Sequence, residues 1–119
     1  MQDRRKTNRR YLLYYMRIYD ATTRKQIGNL VDITPRGAMV VSEHPIPAGQ
    51  TTRLKMELSA EVAEKPFMEF SACSRWCKPD FGLNMHNTGF EILELAPEDV
   101  KIVHRIVEEF GFRDNQPTK

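Results

Sequence analysis

Two short stretches carry residue types that could recognise a ligand. The first is "DITPRG", residues 32–37. Asp32 and Thr34 are two apart, so on a strand both point to one face, a carboxylate beside a hydroxyl. Pro35 sets φ and Gly37 tolerates a tight turn, which puts the pair at a strand end. Gly37 also lets a ligand or a second backbone come close. An ordinary polar strand end would carry the same residue types. The second stretch is "MQDRRKTNRR", residues 1–10, where Arg4, Arg5, Lys6, Arg9 and Arg10 face a single acid, Asp3. Arginine forks match phosphate oxygens and stack on flat rings.

The charge of the chain is concentrated in that second stretch. The 119 residues hold 18 basic and 16 acidic side chains, a net charge of +2. Residues 1–10 account for +4, which leaves the body at −2. A slightly acidic body disfavours a broad nucleic-acid surface, and a concentrated arm favours a local anionic target. Five like charges with no apolar residue besides Met1 predict an arm that is flexible until an anion neutralises it.

The elements that must position these residues are mostly strands. "YLLYYMRIY", residues 11–19, alternates as a strand, and a polar turn over 20–26 leads to "IGNLVDIT", residues 27–34. "AMVVS", residues 38–42, follows the turn at 35–37, and residues 43–50, with two prolines and a glycine, read as a loop. "TTRLKMEL" sets Leu54, Met56 and Leu58 against Arg53, Lys55 and Glu57, a half-buried strand. Residues 59–66 link it to "FMEFSACSRW", residues 67–76; "CKPDFG" reads as a turn, and residues 83–93 as a last strand with a turn or bulge at Asn87–Gly89. Pro97, Glu98 and Asp99 suit a first helical turn, and Val100, Val103, Val107 and Phe110 recur at helical spacing with Ile102 and Ile106 beside them. Gly111 suits the helix C-cap, and residues 113–119 should fray. This pattern predicts one mainly β domain, a small antiparallel barrel with a C-terminal helix packed on it.

Catalytic and metal chemistry find little support. There is no Gly-rich phosphate loop, no HExxH and no nucleophile elbow. Cys73 and Cys77 are four apart in one strand and could share a face, but a zinc site wants two more ligands at motif spacing. His104 on the helix reads as structural or solvent-facing, and Glu98/Asp99 and Glu108/Glu109 as a solvated helix face. No enzyme, no metal and no cofactor is expected. No run of 18 apolar residues predicts a membrane helix, and no apolar stretch follows the basic start as a secretory signal would. A reducing, cytoplasmic setting is therefore expected, with both cysteines free.

The hairpin brings the two stretches together. If Tyr19 pairs with Gln26, residue 13 lies opposite Asp32 and residue 11 opposite Thr34, with Arg9 and Arg10 within side-chain reach of Thr34. Guanine shows two acceptors, N7 and O6, that match an arginine fork. Its N1–H and N2–H₂ edge shows donors that match a carboxylate. A phosphorylated guanine nucleotide therefore suits both halves, whereas bare phosphate would be repelled by Asp32.

Arg5-xxx-Arg9 followed by "DITPRG", as [D/N]-x-[S/T]-x-x-G, with strands between them, resembles the PilZ domain, a bacterial receptor for cyclic di-GMP. The resemblance covers nearly the whole chain: Trp76, Gly89 and Phe90 fall where the later strands of that family have a tryptophan and a Gly-Phe pair. One departure is Thr34, where the family more often has serine; the hydroxyl is kept. The resemblance implies a six-stranded antiparallel barrel plus C-terminal helix over residues 11–112, a basic switch arm over 1–10 and a non-enzymatic receptor. Arg5 and Arg9 would hold phosphates and guanines, Asp32 and Thr34 would hydrogen-bond a guanine, and Gly37 would keep space clear. Arg4 just before the motif goes, in the family, with two intercalated ligands, and Arg10 follows it. Arg36 and Trp76 would be outer contacts. The signal would pass to a downstream protein in trans.

Two other readings remain. One is a single-stranded nucleic-acid module in which Tyr11, Tyr14 or Tyr15 stacks bases, although tyrosines in a strand more readily pack. The other is a PilZ-like adaptor that binds only proteins.

Overall fold

The computed structural model describes residues 16–80 and 84–110. Six strands form a closed antiparallel barrel: β1 (Arg17–Asp20), β2 (Gln26–Thr34), β3 (Gly37–Ser42), β4 (Thr51–Glu57), β5 (Phe67–Asp80) and β6 (Met85–Glu94), in the order β1-β2-β3-β6-β5-β4. One helix, α1 (Pro97–Phe110), follows. The mainly β barrel with a C-terminal helix is the architecture expected from the alternation of apolar residues. Residues 1–15, 81–83 and 111–119 lie outside the described residues, so the expected arm, the first part of the first strand, the Gly111 cap and the frayed tail fall there. Among the described residues no helix is long and apolar enough to cross a membrane.

The interior is filled by every second residue of the strands. Ile18, Leu30, Val40, Leu54, Met56 and Phe70 are all buried to 1% exposure or less. The helix presses Val103 and Ile106, both fully buried, against the same core. Val62, in the link between β4 and β5, is also fully buried, and its carbonyl accepts a hydrogen bond from Arg105 at 3.2 Å. This link and the helix are further joined by Lys65 Nζ and Asp99 Oδ1 at 2.7 Å.

Asp99 differs from expectation: it is 4% exposed rather than solvated. The carboxylate is tolerated there because Lys65 pairs with it and because it sits in the first helical turn, where the backbone dipole favours negative charge. Replacing Lys65 by methionine strips a nearly buried carboxylate of its partner and should cost about 2 kcal/mol, read from urea denaturation.

Of four register irregularities among the described residues, three bear on where the site's side chains point. In β2, Leu30 pairs with Val40 but Asp32 pairs with Met39, so Val31 is an extra residue. In β5, Ser74 pairs with Phe90 but Trp76 pairs with Gly89, so Arg75 is an extra residue. In the first hairpin Tyr19 pairs with Gln26, as expected, but Ile18 pairs with Gly28, one residue beyond the expected partner. The onward partners of Asp32 and Thr34 in the first strand lie outside the described residues.

Strand β5 continues through Cys77–Asp80, where a turn was expected. Beyond Ser74 it pairs only with β6, so Pro79 sits where one side of the strand has no strand partner to disappoint. The irregularity expected at Asn87–Gly89 exists in the β5–β6 ladder, but the extra residue belongs to β5; β6 pairs with β3 without a break there.

Candidate functional site

Two bulges turn chemistry outward onto one face. Simple alternation from buried Leu30 would send Asp32 and Thr34 into the barrel. The extra residue Val31 reverses the parity, so Ile33 is buried and Asp32 and Thr34 face out. In β5 Ser74 is fully buried, and simple alternation would bury Trp76 as well. Arg75 reverses the parity there, and Trp76 is 39% exposed. The same bulge separates the cysteines. Cys73 pairs with outward-facing Glu91 and Cys77 with buried Thr88, so they do not share a face as expected. Both are free thiols, and among the described residues no group of His, Cys, Asp and Glu could hold a metal.

Outward residues line up across four neighbouring strands. One row runs Asp32, Met39, Gly89, Trp76; the next runs Thr34, Gly37, Glu91, Cys73. Between them lies an open groove of about 400 Å³ that Asp32, Thr34, Arg36, Gly37 and Trp76 all line. Five of the residues expected at a ligand site are therefore gathered on one surface. Arg4, Arg5, Arg9 and Arg10 lie outside the described residues.

The local hydrogen bonds fix what each group can still do. Asp32 Oδ1 accepts from the Ile33 amide at 2.8 Å, and among the described residues no cation pairs with the carboxylate. Burial raises its pKa above the usual 3.8, with the Ile33 amide pulling the other way. The folded chain therefore holds the Asp32 proton more tightly than the unfolded chain does. Above pH 3.8 the unfolded carboxyl ionises first, so charging Asp32 costs stability as pH rises. Asp32→Asn, which keeps the acceptor for Ile33, should raise stability at pH 7 by a fraction of a kcal/mol, and the gain should vanish near pH 3.

Thr34 Oγ1 accepts from the amides of Arg36 at 3.2 Å and Gly37 at 3.3 Å, which closes the turn. Its acceptor capacity is taken up, and the hydroxyl proton is left to donate. The Arg36 carbonyl accepts from Ile92 N–H at 2.8 Å, which anchors the turn to β6. The exposed Arg36 guanidinium has no carboxylate partner among the described residues.

Two groove glycines sit where no side chain fits. A Cβ on Gly37 would come within 2.8 Å of the Phe90 carbonyl oxygen. A Cβ on Gly89 would come within 2.3 Å of Cε2 and Nε1 of Trp76, so the indole lies directly across the β6 backbone. The ring is thus neither core nor free; it leans over its neighbour strand, with Lys78 Nζ 5.5 Å from the centre of its ring system.

Sequence reasoning missed Met39, Arg75, Gly89 and Glu91 as groove residues. Arg75 Nε donates to Glu91 Oε1 at 2.7 Å, and the pair forms a self-neutralised wall. Only Gly89 carried a signal, since a glycine inside a strand often marks the close approach of another group. Met39 and Glu91 enter through cross-strand pairing, and Arg75 through its ion pair with Glu91. Of the charges that line the groove, Asp32 and Glu91 balance Arg36 and Arg75.

No curated protein matches the sequence. Among solved structures, the chain is similar to the Bacillus subtilis inhibitor of motility (MotI/DgrA), with a TM-score of 0.61 and 18% identity over 87% of this chain. It spans 48% of that protein, and at this identity the likeness concerns the fold. The PilZ domain model matches residues 3–109, from before the first arginines into the last turn of the helix, and the chain belongs to that family.

Proposed function

We propose that the protein is a non-enzymatic receptor for cyclic di-GMP. The observation that carries the reading is the groove itself: Asp32 and Trp76, on strands separated by two others, are both turned outward by bulges onto one surface that also holds Thr34 and Arg36. Asp32 has acceptor capacity for the N1–H and N2–H₂ donors of a guanine. Thr34 has a proton to give to an acceptor on the same nucleotide. Trp76 offers a flat, half-open ring against which a base can stack.

The described groove is charge-balanced, so it lacks the positive excess that two phosphates require. The proposal assigns that excess to Arg5 and Arg9 of the arm, with Arg10 beside them, and Arg36 as an outer contact. Ligand then ties residues 1–10 to the barrel, and the newly ordered surface signals to a partner protein. Gly37 keeps the approach clear. Arg4 admits a second, intercalated ligand.

Calorimetric titration with cyclic di-GMP tests the reading. Wild type should bind with a stoichiometry of two, and Arg4→Ala should reduce it to one with binding retained. Arg5→Ala should lose most of the heat. An absence of heat with wild type, or undiminished binding by Arg5→Ala, removes the proposal; partner capture indifferent to the nucleotide would then favour a protein-only adaptor. Binding should also weaken as pH falls, because burial raises the pKa of Asp32 and the carboxylate regains its proton sooner than an exposed one would.

A further inference from the structure

A second groove, of about 390 Å³, is lined by Tyr19, Arg24, Lys55 and Phe67. Tyr19 of β1 and Lys55 of β4 are direct cross-strand partners and share an outward face. Lys55 Nζ lies 4.3 Å from the centre of the Phe67 ring. The Tyr19 and Phe67 rings meet edge to face, 6.4 Å apart and 77° between planes. Arg24 reaches the groove from the β1–β2 turn, where it holds φ 69, a left-handed backbone that favours glycine. The turn is held rigidly: Asp20 Oδ1 accepts from the amides of Thr22 and Thr23, and the Asp20 carbonyl accepts from Arg24 N–H at 2.7 Å.

The charges on this face are unequally satisfied. Arg17 lies 3.8 Å from Glu57 and Arg53 lies 3.2 Å from Glu69. The carboxylates beside the groove are thus engaged, and among the described residues Arg24 and Lys55 have no acidic partner. Two cations remain over a floor of two aromatic rings. One face of Phe67 is already covered by the Lys55 ammonium, so the floor suits a packed aliphatic group better than an intercalating base. The barrel is closed, so a partner gains no free strand edge here and must dock through side chains.

We infer that this face docks an acidic segment of a partner protein, in which carboxylates meet Arg24 and Lys55 and an aliphatic side chain rests on Tyr19 and Phe67. Strands β1 and β4 lie across the ring from β3 and β6, so a nucleotide in the first groove leaves this one uncovered. The inference rests on the receptor reading only for what the docked partner is for.

The test titrates the ¹⁵N-labelled full chain with the amidated peptide acetyl-Glu-Leu-Glu-Leu-Glu-Leu. Shifts should centre on Tyr19, Arg24, Lys55 and Phe67. Arg24→Glu and Lys55→Glu should each weaken binding about fivefold or more, with Lys55→Gln as a gentler variant if Lys55→Glu unfolds. Lys25→Glu, a neighbouring cation outside the groove, should leave binding unchanged. Shifts that fall elsewhere, or an equal loss with Lys25→Glu, would mean diffuse charge attraction and overturn the inference. Displacement of the peptide from these residues by pyrophosphate would also overturn it, in favour of a small-anion site. Each variant is titrated separately with cyclic di-GMP and should bind it as wild type does. Loss of nucleotide binding in wild type with the peptide still seated here would sink the receptor reading and leave this inference standing.

Discussion

Asp32→Ala should reduce affinity for cyclic di-GMP about a hundredfold, the largest loss expected from any single change in the described groove. A carboxylate that accepts from the N1–H and N2–H₂ of a guanine makes charge-assisted hydrogen bonds, each worth roughly 1.5–3 kcal/mol. Alanine leaves those donors facing a half-buried wall with nothing to accept from them, and the unmade bonds cost more than made bonds gain. Asparagine should lose nearly as much, because its amide turns a donor toward donors.

The conservative variant also separates binding from folding. Asp32 is half-buried, has no cation beside it among the described residues, and its pKa is raised by burial. Its charge is therefore a small liability to the empty barrel, and Asp32→Asn should fold slightly better than wild type at neutral pH while binding worse. Residues kept for function commonly sit at such a cost to stability. Calorimetry beside urea denaturation reads both sides. Undiminished affinity in Asp32→Ala would remove the carboxylate from the site, and with it the reason for preferring guanine over bare phosphate.

Much of this was legible in the chain, and the parts that were not share a cause. The strands, their order along the sequence and the terminal helix follow from alternation and from the change of period after Leu95; β2, β3, β4 and β6 fall close to where the pattern puts them, β5 runs on through an expected turn, and of the first strand only its end is described. Asp32 and Thr34 were correctly placed on one face because two residues apart is a local statement. Which face was not legible, since it depends on Val31 being extra against β3, and a bulge is a property of two strands rather than one. Trp76 illustrates the same limit: Ser74 and Trp76 look equivalent along the chain, yet one is fully buried and the other lines the groove. The hairpin register was right at Tyr19 and one residue off at Ile18 for the same reason. Asp99 was misjudged because its partner, Lys65, is far away in the sequence and only the fold brings it near. Arg75 and Glu91 pair across strands, so neither announces itself as a groove residue in a linear reading.

Gly89→Ala tests whether the indole is a working part of the groove. The added methyl would stand 2.3 Å from two ring atoms, so the ring must leave the β6 backbone. A side chain can swing away at modest cost, and alanine is itself better than glycine in a strand, so the barrel should keep its stability to within about 1 kcal/mol. Trp76 is the only tryptophan, and its emission reports the move without a label. It should shift to the red as the ring gives up its contact with β6 for water. If a guanine stacks on the ring where it now lies, the variant should also lose about tenfold in affinity for cyclic di-GMP, within the range that stacking of a base on an aromatic side chain contributes. Trp76→Ala should match that loss, and the double variant should lose no more than either single one, since both remove the same contact. An unchanged emission spectrum would mean that the ring does not lie across Gly89. A red shift with affinity unchanged would mean that Trp76 only borders the groove, and the nucleotide would then rest on Asp32, Thr34 and the arginines alone.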